Sequence, residues 1–344
     1  MRLDLEEWRT PEESDFTISS FDFVSGETIT ELRLHYRTLG TVRRDKHEKV
    51  TNAVLIGHGT GGSGSQFIND HFAGELFESG DLLDPARYFI ILPDGIGHGG
   101  SSKPSDGLHA QFPRYGYCDM VLATYRLVTE GLGINHLRLV MGTSMGGMHA
   151  WLWGEMYPEF MDALMPLASL PVQIAGRNRM TRKMIMDAIR NDPEWKGGDY
   201  STQPEQGLTT ALYILTIMGS VPLKWQEEAP TQVAADDFLE KRLAAALLVT
   251  DANDLLYQVD ASHDYDPSYR LSDIQASLLA INSADDQINP PELGILEAKI
   301  KEVKFGRAVV LPISEFTRGH STHTWANVWK SYLEELLVMS EPSM

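Results

Sequence analysis

The chain has 344 residues, and 48 acidic against 29 basic side chains give it a formal net charge of −19. A surface this acidic repels phosphate backbones, which excludes nucleic-acid binding through a basic face. The single cysteine, Cys118, excludes an intrachain disulfide framework and any cysteine-based zinc cluster.

Two runs rich in β-forming residues come first, at 15–23 and 28–37, with a turn-like Ser-Gly-Glu between them. They predict an antiparallel hairpin. Six short apolar runs without clean alternation follow, at 53–57, 88–92, 137–141, 163–167, 278–282 and 308–311. Runs of this kind are typical of strands that are buried on both faces of a parallel sheet.

Helical patterns lie between the apolar runs, at 119–132, 145–157 and 325–338. Strands that alternate with helices are joined by right-handed crossovers. The sequence therefore predicts an α/β fold with a doubly wound, mostly parallel sheet behind an N-terminal antiparallel hairpin.

The alternation breaks between residues 167 and 278. Helical segments there, at 179–190 and 236–248, are separated by turn-rich segments at 192–198 and 222–230. We expect a core domain of residues 1–170 and 275–344, with a helical cap inserted at 171–274. A separate second domain of about 100 residues is the alternative.

A Gly-Thr-Ser-Met-Gly sequence at 142–146 stands between an apolar run and a helical pattern. A serine in a tight strand-to-helix turn needs small residues two positions to either side, so that its hydroxyl projects above the sheet. The helix that begins at Met145 directs its first N–H groups toward that hydroxyl. The pattern predicts Ser144 as a nucleophile; a helix-capping serine in a glycine-rich turn is the alternative.

A serine hydroxyl is a weak nucleophile that needs a base, and the base needs an acid to orient it. The loop after the run at 278–282 carries two acidic candidates, Asp285 and Asp286. It follows a strand's carboxyl end, where open α/β sheets build their sites. We favour Asp286, at the end of the loop, and expect Asp285 to be solvated or to cap the helix near Pro290.

The base is expected from the loop after the last apolar run, which carries His320 and His323. We favour His320 because Gly319 before it allows a tight loop, whereas His323 lies near the final helix. Acid and base then both follow Ser144 along the chain, in the order Ser, Asp, His.

Two backbone N–H groups should stabilise the oxyanion that forms during acyl transfer. One belongs to Met145, the residue after the nucleophile. The other should come from the loop after an earlier strand, and Thr60, in His-Gly-Thr-Gly-Gly at 58–62, is the candidate.

The same glycine-rich stretch matches the dinucleotide fingerprint G-x-G-x-x-G from Gly57, and a second stretch matches it from Gly95. Neither has the clean strand ending in an acidic residue that the fingerprint requires about 20 positions later, which makes a dinucleotide site an outside alternative. The sequence also lacks H-E-x-x-H and G-x-x-x-x-G-K-[ST]. We expect neither a metal nor a cofactor.

Several motifs resemble the homoserine O-acetyltransferase branch of the α/β-hydrolase superfamily. The more specific ones are Gly-Gly-Met at 146–148 and Asp-Pro-Glu-Trp at 192–195, and with the Asp286 and Gly319-His320 loops the resemblance covers nearly the whole chain. It implies an α/β-hydrolase fold, a Ser-His-Asp triad, an acyl-enzyme, a helical lid and often a dimer through lid helices.

Three segments depart from that family's usual pattern. Ser321 follows His320, where the family's acetyltransferases usually have an aspartate that engages the substrate amine. The segment at 216–219 lacks the lid arginine that holds the substrate carboxylate, and a different loop stands at 95–104. Because a buried zwitterion needs both charges paired, these departures argue against homoserine as the substrate.

We therefore expect a serine carboxylesterase that cleaves a small, largely uncharged ester through an acyl-enzyme. An acyl-CoA-dependent O-acyltransferase with the same triad is the alternative, and a receptor with a vestigial pocket is disfavoured because all three triad residues are present. The expected partner is the small-molecule ester, or an acyl-CoA, and neither nucleic acid nor membrane. No apolar run approaches the roughly 20 residues that span a bilayer, and the acidic N-terminus lacks a signal peptide's apolar core, so we expect a cytoplasmic protein.

Overall fold

A computed structural model describes residues 7–342; most of the acidic N-terminal segment noted above lies outside the described residues. One eight-stranded sheet has the order β1-β2-β4-β3-β5-β6-β7-β8. Its strands are β1 Glu12–Asp22, β2 Thr28–Leu39, β3 Ala53–Gly57, β4 Phe89–Pro93, β5 Leu139–Thr143, β6 Ala163–Leu167, β7 Ser277–Ser283 and β8 Gly306–Leu311. The β1–β2 and β2–β4 pairs are antiparallel and the others are parallel, which confirms the predicted sheet and its N-terminal hairpin.

The central strands are buried on both faces because helices cover each side of the sheet. Successive strand residues point to opposite faces of the sheet. Val140 joins the hydrophobic cluster under the helices at 117–126 and 145–156, whereas Leu139 and Met141 join the cluster under the helices at 73–76 and 330–339. This double burial explains why the strands show continuous apolar runs rather than alternation.

From β3 onward, the helices alternate with the strands along the chain, as in a doubly wound fold. They are α1 Ala73–Leu76, α2 Tyr117–Arg126, α3 Met145–Met156, α4 Gly176–Arg190, α5 Glu205–Met218, α6 Pro222–Glu228, α7 Gln232–Leu247, α8 Ala252–Asp260, α9 Ile295–Lys299 and α10 Lys330–Met339. Five of them, α4 to α8, lie between β6 and β7, and α4, α5 and α8 share a hydrophobic cluster separate from the two sheet clusters.

Several predicted elements differ from the structure in their bounds or type, among them the following three. The segment at 222–230 is not a turn but contains α6, because Pro222 occupies the first helical position, where proline needs no N–H partner. The helix predicted from 325 begins at Lys330 after two short turns. The strand predicted at 137–141 is shifted to Leu139–Thr143, since Leu137 makes only an isolated bridge to Met161.

Within residues 7–342, no single helix is long and apolar enough to cross a bilayer, and α5 with α6 would qualify only as a pair bent by 107°.

Glu155 on α3 makes the stability of the fold depend on pH. Burial raises the pKa of its carboxyl from 4.5 to about 7, and Arg270 opposes that shift only in part. Because the folded pKa lies above the unfolded one, the stabilisation is complete below about pH 4.5 and is lost as the pH rises through about 7. A Glu155→Gln variant carries no charge, so its Tm should fall less than that of the wild type between about pH 5 and about pH 8.

Thermal melts at both pH values measure this difference. Glu159→Gln is the matched control, because Glu159 is exposed just beyond the same helix. A Tm difference between the two pH values that is the same in the wild type and in Glu155→Gln would contradict the prediction.

Candidate active site

Ser144 lies in the sharp turn between β5 and α3. Its backbone has φ 55° and ψ −109°, a positive φ that a serine adopts only where the surrounding structure enforces it. Gly146 makes this turn possible, since a Cβ at that position would lie 2.0 Å from the carbonyl oxygen of Gly57. The start of α3 thus approaches β3 more closely than any side chain would allow.

Three side chains from different loops form a chain of two hydrogen bonds. Ser144 Oγ lies 2.8 Å from Nε2 of His320, and Nδ1 of His320 lies 2.8 Å from Oδ2 of Asp286. The loops that carry them follow β5, β7 and β8, so all three residues meet above the carboxyl ends of parallel strands. The structure therefore brings together the predicted nucleophile, base and acid.

Asp286 is buried, and its surroundings favour the ionised carboxylate. Oδ1 accepts the N–H groups of Ile288 at 2.7 Å and Asn289 at 3.1 Å, while Oδ2 faces His320. Burial alone would raise the pKa of this carboxyl, but the attraction of His320 and the hydrogen bonds together hold the pKa below its ordinary value of 3.8. A carboxylate held charged in this way orients the imidazole, with the proton on Nδ1 and a lone pair on Nε2.

The two rejected candidates have other positions. Asp285 was expected to be solvated or to cap a helix, and this is wrong: its carboxylate accepts the N–H of Gly319 at 3.0 Å and the hydroxyl of Ser283. It turns back toward the histidine loop because 283–286 forms a turn, in which the Asp286 N–H donates to the Ser283 carbonyl. His323 lies with its ring centroid 5.1 Å from that of His320, and burial, aided by His320, lowers its pKa to about 3.

The predicted oxyanion donors belong to the start of α3 and to the loop after β3. Met145 begins α3 directly after Ser144, and the loop that carries Thr60 contacts the elbow, since a Cβ on Gly59 would lie 3.6 Å from Ser144 Cβ. Among the backbone hydrogen bonds of residues 7–342, none is donated by the Thr60 or the Met145 N–H. Neither N–H is therefore engaged by another backbone group of that part of the chain, as a donor to an oxyanion requires.

Two side chains that hold this loop were missed by sequence reasoning. Gln66 accepts the N–H of Gly59 at 3.2 Å and donates to the Thr143 hydroxyl at 2.9 Å, which links the loop to the residue before the nucleophile. His58 accepts the N–H of Gly95 at Nε2 and lies 2.8 Å from the Gly59 carbonyl at Nδ1; burial lowers its pKa, which favours the neutral ring that both contacts require. The sequence offered only the weak signal of polar residues flanking a glycine-rich loop.

A Gln66→Ala variant should lower kcat/KM for a short ester by about tenfold. The substitution removes both hydrogen bonds of the Gln66 side chain, so the loop that carries Thr60 would be held less firmly against the elbow. Steady-state kinetics would measure the loss. Gln275→Ala is the matched control, because among residues 7–342 that exposed side chain bonds only the Asp273 carbonyl. Equal rates in the two variants would contradict the prediction.

Other reactive groups lie outside this arrangement. Within residues 7–342, no group of three or more His, Cys, Asp and Glu side chains could hold a metal ion. Cys118 lies in α2, where burial, with Asp264 nearby, raises the pKa of its thiol to about 12. A protonated thiol is a poor nucleophile, so Cys118 does not compete with Ser144 as the candidate nucleophile.

Comparisons with known proteins identify the family of the chain. The model of the alpha/beta hydrolase fold matches residues 52–323. A probable acyltransferase from Methanothermobacter thermautotrophicus is 31% identical over 281 residues, covering 81% of this chain and 84% of that protein. A homoserine O-acetyltransferase from Haemophilus influenzae is 30% identical over 318 residues, covering 80% and 84%.

A solved structure shares the whole architecture. An acetylester hydrolase from Corynebacterium glutamicum superposes with a TM-score of 0.81 at 22% identity, covering 95% of this chain and 96% of that one. At this identity the likeness concerns the fold. The family match and the two relatives show that the chain is an enzyme of the alpha/beta-hydrolase family and belongs to its homoserine O-acetyltransferase-like branch.

Proposed function

We propose that the protein is a serine carboxylesterase that cleaves a small, largely uncharged ester. The observation that carries the proposal is the Ser144–His320–Asp286 chain, with 2.8 Å at each contact. Ser144 Oγ attacks the ester carbonyl while Nε2 of His320 takes its proton, and Asp286 stabilises the imidazolium that forms. The negative charge on the carbonyl oxygen is received by the N–H groups of Thr60 and Met145.

The reaction then proceeds in two halves on the same residues. The tetrahedral intermediate breaks its bond to the alcohol oxygen, and His320 returns its proton to that oxygen, which leaves an acyl group on Ser144. Water attacks the acyl carbon while His320 takes a proton from the water. The second intermediate then breaks its bond to Ser144 Oγ, and His320 returns the proton to Oγ, which releases the acid and restores the Ser144 hydroxyl.

The uncharged substrate is inferred from the residues at the positions where the resembled acetyltransferases carry charged partners for their substrate. Ser321, which follows the catalytic histidine, is neutral, and the α5 segment at 216–219 offers no cation for a carboxylate. Burial of an amino-acid substrate would leave both of its charges without these partners. An acetylester hydrolase among the structural neighbours is consistent with a simple ester.

The second candidate is an acyl-CoA-dependent O-acyltransferase, and the relatives favour it. Both the probable acyltransferase and the homoserine O-acetyltransferase exceed the structural neighbour in sequence identity. The acylation step is the same, and the acceptor of the acyl group, water or an alcohol, distinguishes the two functions. A site that excludes water and retains an alcohol favours transfer.

Product analysis separates the candidates. The purified protein is incubated with acetyl esters of graded alcohol size, and with acetyl-CoA or succinyl-CoA in the presence and absence of homoserine or a simple alcohol. Release of acid from the esters, with thiol release from the CoA donors unchanged by an alcohol, is expected. Thiol release that rises many-fold with homoserine would replace the esterase proposal with the acyltransferase.

The remaining assignments are also proposals. We propose that residues 171–274, which contain α4 to α8, form a cap over the site, and that the protein is cytoplasmic. We further propose a homodimer through α5, α6 and α7, where exposed apolar side chains border a groove of about 500 Å³. Light scattering on the purified protein measures the oligomeric state, and a monomer at micromolar concentration would contradict the dimer.

A further inference from the structure

Asp285 connects the strand β7 to the loop of the catalytic histidine. Its Oδ2 accepts the backbone N–H of Gly319 at 3.0 Å, and its Oδ1 accepts the hydroxyl of Ser283, the last residue of β7. Both carboxylate oxygens are therefore engaged, one by the sheet and one by the loop.

Gly319 is the residue immediately before His320 and is enclosed on two sides. Its φ is +57°, and a Cβ there would lie 2.9 Å from Cγ2 of Val221 and 3.2 Å from the carbonyl oxygen of Asp285. No side chain can anchor the loop at this point. The N–H of Gly319 supplies the anchor instead, and Asp285 is its acceptor.

The rest of the histidine loop is closed on itself. The N–H of Arg318 donates to the Thr322 hydroxyl at 2.7 Å, and the N–H of Thr322 donates to the Gly319 carbonyl at 3.1 Å. His320 thus lies inside a compact turn. The side-chain link from Asp285 to Gly319 attaches this turn to the end of β7, with the longer Thr322–Ser283 contact of 3.5 Å beside it.

We propose that Asp285 is a positioning residue for His320. The two adjacent carboxylates have different partners. Asp286 bonds the imidazole ring of His320, and Asp285 bonds the backbone N–H of Gly319, the residue before His320. Because both belong to one turn, ring and backbone keep a fixed relation to Ser144 Oγ. Asp285 acts through Gly319, and the inference rests on the proposed function of the triad.

The test compares Asp285→Ala with Asp285→Asn. Alanine removes the acceptor for the Gly319 N–H, and a displacement of His320 of the order of 1 Å costs up to about 100-fold in rate. We expect kcat for a short acetyl ester to fall about 10- to 100-fold in Asp285→Ala, with KM within about twofold. In Asp285→Asn the amide oxygen can accept the Gly319 N–H while the amide nitrogen donates to Ser283 Oγ, so we expect kcat within about threefold of the wild type.

The controls separate positioning from folding and from the proposed function. Gln287→Ala changes an exposed side chain of the same loop that contacts Arg177, and it should leave kcat unchanged. Thermal melts show whether Asp285→Ala folds. If it does not, Asp285→Ser replaces it, because its hydroxyl is one bond too short to reach Gly319, and the same loss of kcat is expected. Ser144→Ala reports on the triad itself.

Each outcome decides the inference. Loss in Asp285→Ala or Asp285→Ser with rescue in Asp285→Asn supports positioning. Equal kcat in Asp285→Ala and Gln287→Ala, while Ser144→Ala is inactive, overturns the inference and leaves the esterase standing. Equal losses of kcat in Asp285→Ala and Asp285→Asn overturn the inference, because the negative charge of Asp285 would then matter rather than its hydrogen bond to Gly319. An active Ser144→Ala overturns the proposed function and this inference with it.

Discussion

A Ser144→Ala variant is expected to lower kcat/KM for a short acetyl ester by about 10⁴-fold or more, because a triad without its nucleophile retains only the contribution of the oxyanion donors and of substrate binding. His320 would still be held by Asp286 at 2.8 Å, but it would have no hydroxyl to deprotonate. The loss should appear in kcat, since Ser144 Oγ forms its bond to carbon only during the reaction.

The variant should fold as the wild type does. The Ser144 hydroxyl bonds only His320 among the described residues, and alanine meets the same positive φ that serine does. Ser25→Ala, on the exposed turn between β1 and β2, is the control for the same substitution away from the site. Mass spectrometry during turnover should find the acyl group on Ser144 in the wild type. A Ser144→Ala protein that keeps a tenth or more of the activity would remove Ser144 from the mechanism.

The elbow was predictable because its requirements are local. A serine held at positive φ between a strand and a helix needs a glycine where α3 approaches β3. The sequence pattern around Ser144 supplies that glycine at Gly146 and therefore predicts the elbow. The order of the later loops then led to Asp286 and His320, since carboxyl ends of parallel strands share one edge of the sheet. The hairpin and the buried parallel strands were predictable from local patterns in the same way.

The role of Asp285 was not predictable from such patterns. Adjacent aspartates in one loop have the same local chemistry, and the turn at 283–286 decides that Asp286 meets the ring while Asp285 meets the Gly319 N–H. These contacts depend on the loop that carries Gly319, which lies 34 residues further along the chain than Asp285. Gln66 is similar, because its partner Thr143 lies 77 residues away.

The predicted bounds and types of some elements were wrong where local composition pointed to one structure and contacts with the rest of the fold favoured another. Prolines at both ends of 222–230 indicated a turn, although proline at the first helical position and another beyond the last are equally typical of a short helix. The β5 strand begins two residues later than the apolar run, at Leu139, because Leu137 pairs only through an isolated bridge to Met161. The side chain of Arg138 bonds the end of α10 at Leu337 and Ser340, a contact that the apolar run does not reveal.

An Asp286→Asn variant is expected to lower kcat/KM by about 10⁴-fold at neutral pH with little change in structure. The N–H groups of Ile288 and Asn289 both point at Oδ1, so an asparagine would keep its carbonyl oxygen there and turn its amide nitrogen toward His320. The amide would then donate to Nδ1, which moves the imidazole proton to Nε2. A ring protonated at Nε2 cannot accept the proton of the Ser144 hydroxyl.

The same variant changes the response of stability to acid. The folded pKa of Asp286 lies below its ordinary value of 3.8, so this carboxylate stabilises the fold above that pH and the stabilisation is lost as the pH falls through the folded pKa. The Tm of Asp286→Asn should therefore fall less than that of the wild type between about pH 6 and about pH 3.

Asp285→Asn provides the matched comparison for the kinetics, because it introduces the same amide one residue away and is expected to keep its activity. If Asp286→Asn kept a tenth of the wild-type kcat/KM while remaining folded, the tautomer of His320 would not depend on this carboxylate, and the acid would have to be assigned elsewhere.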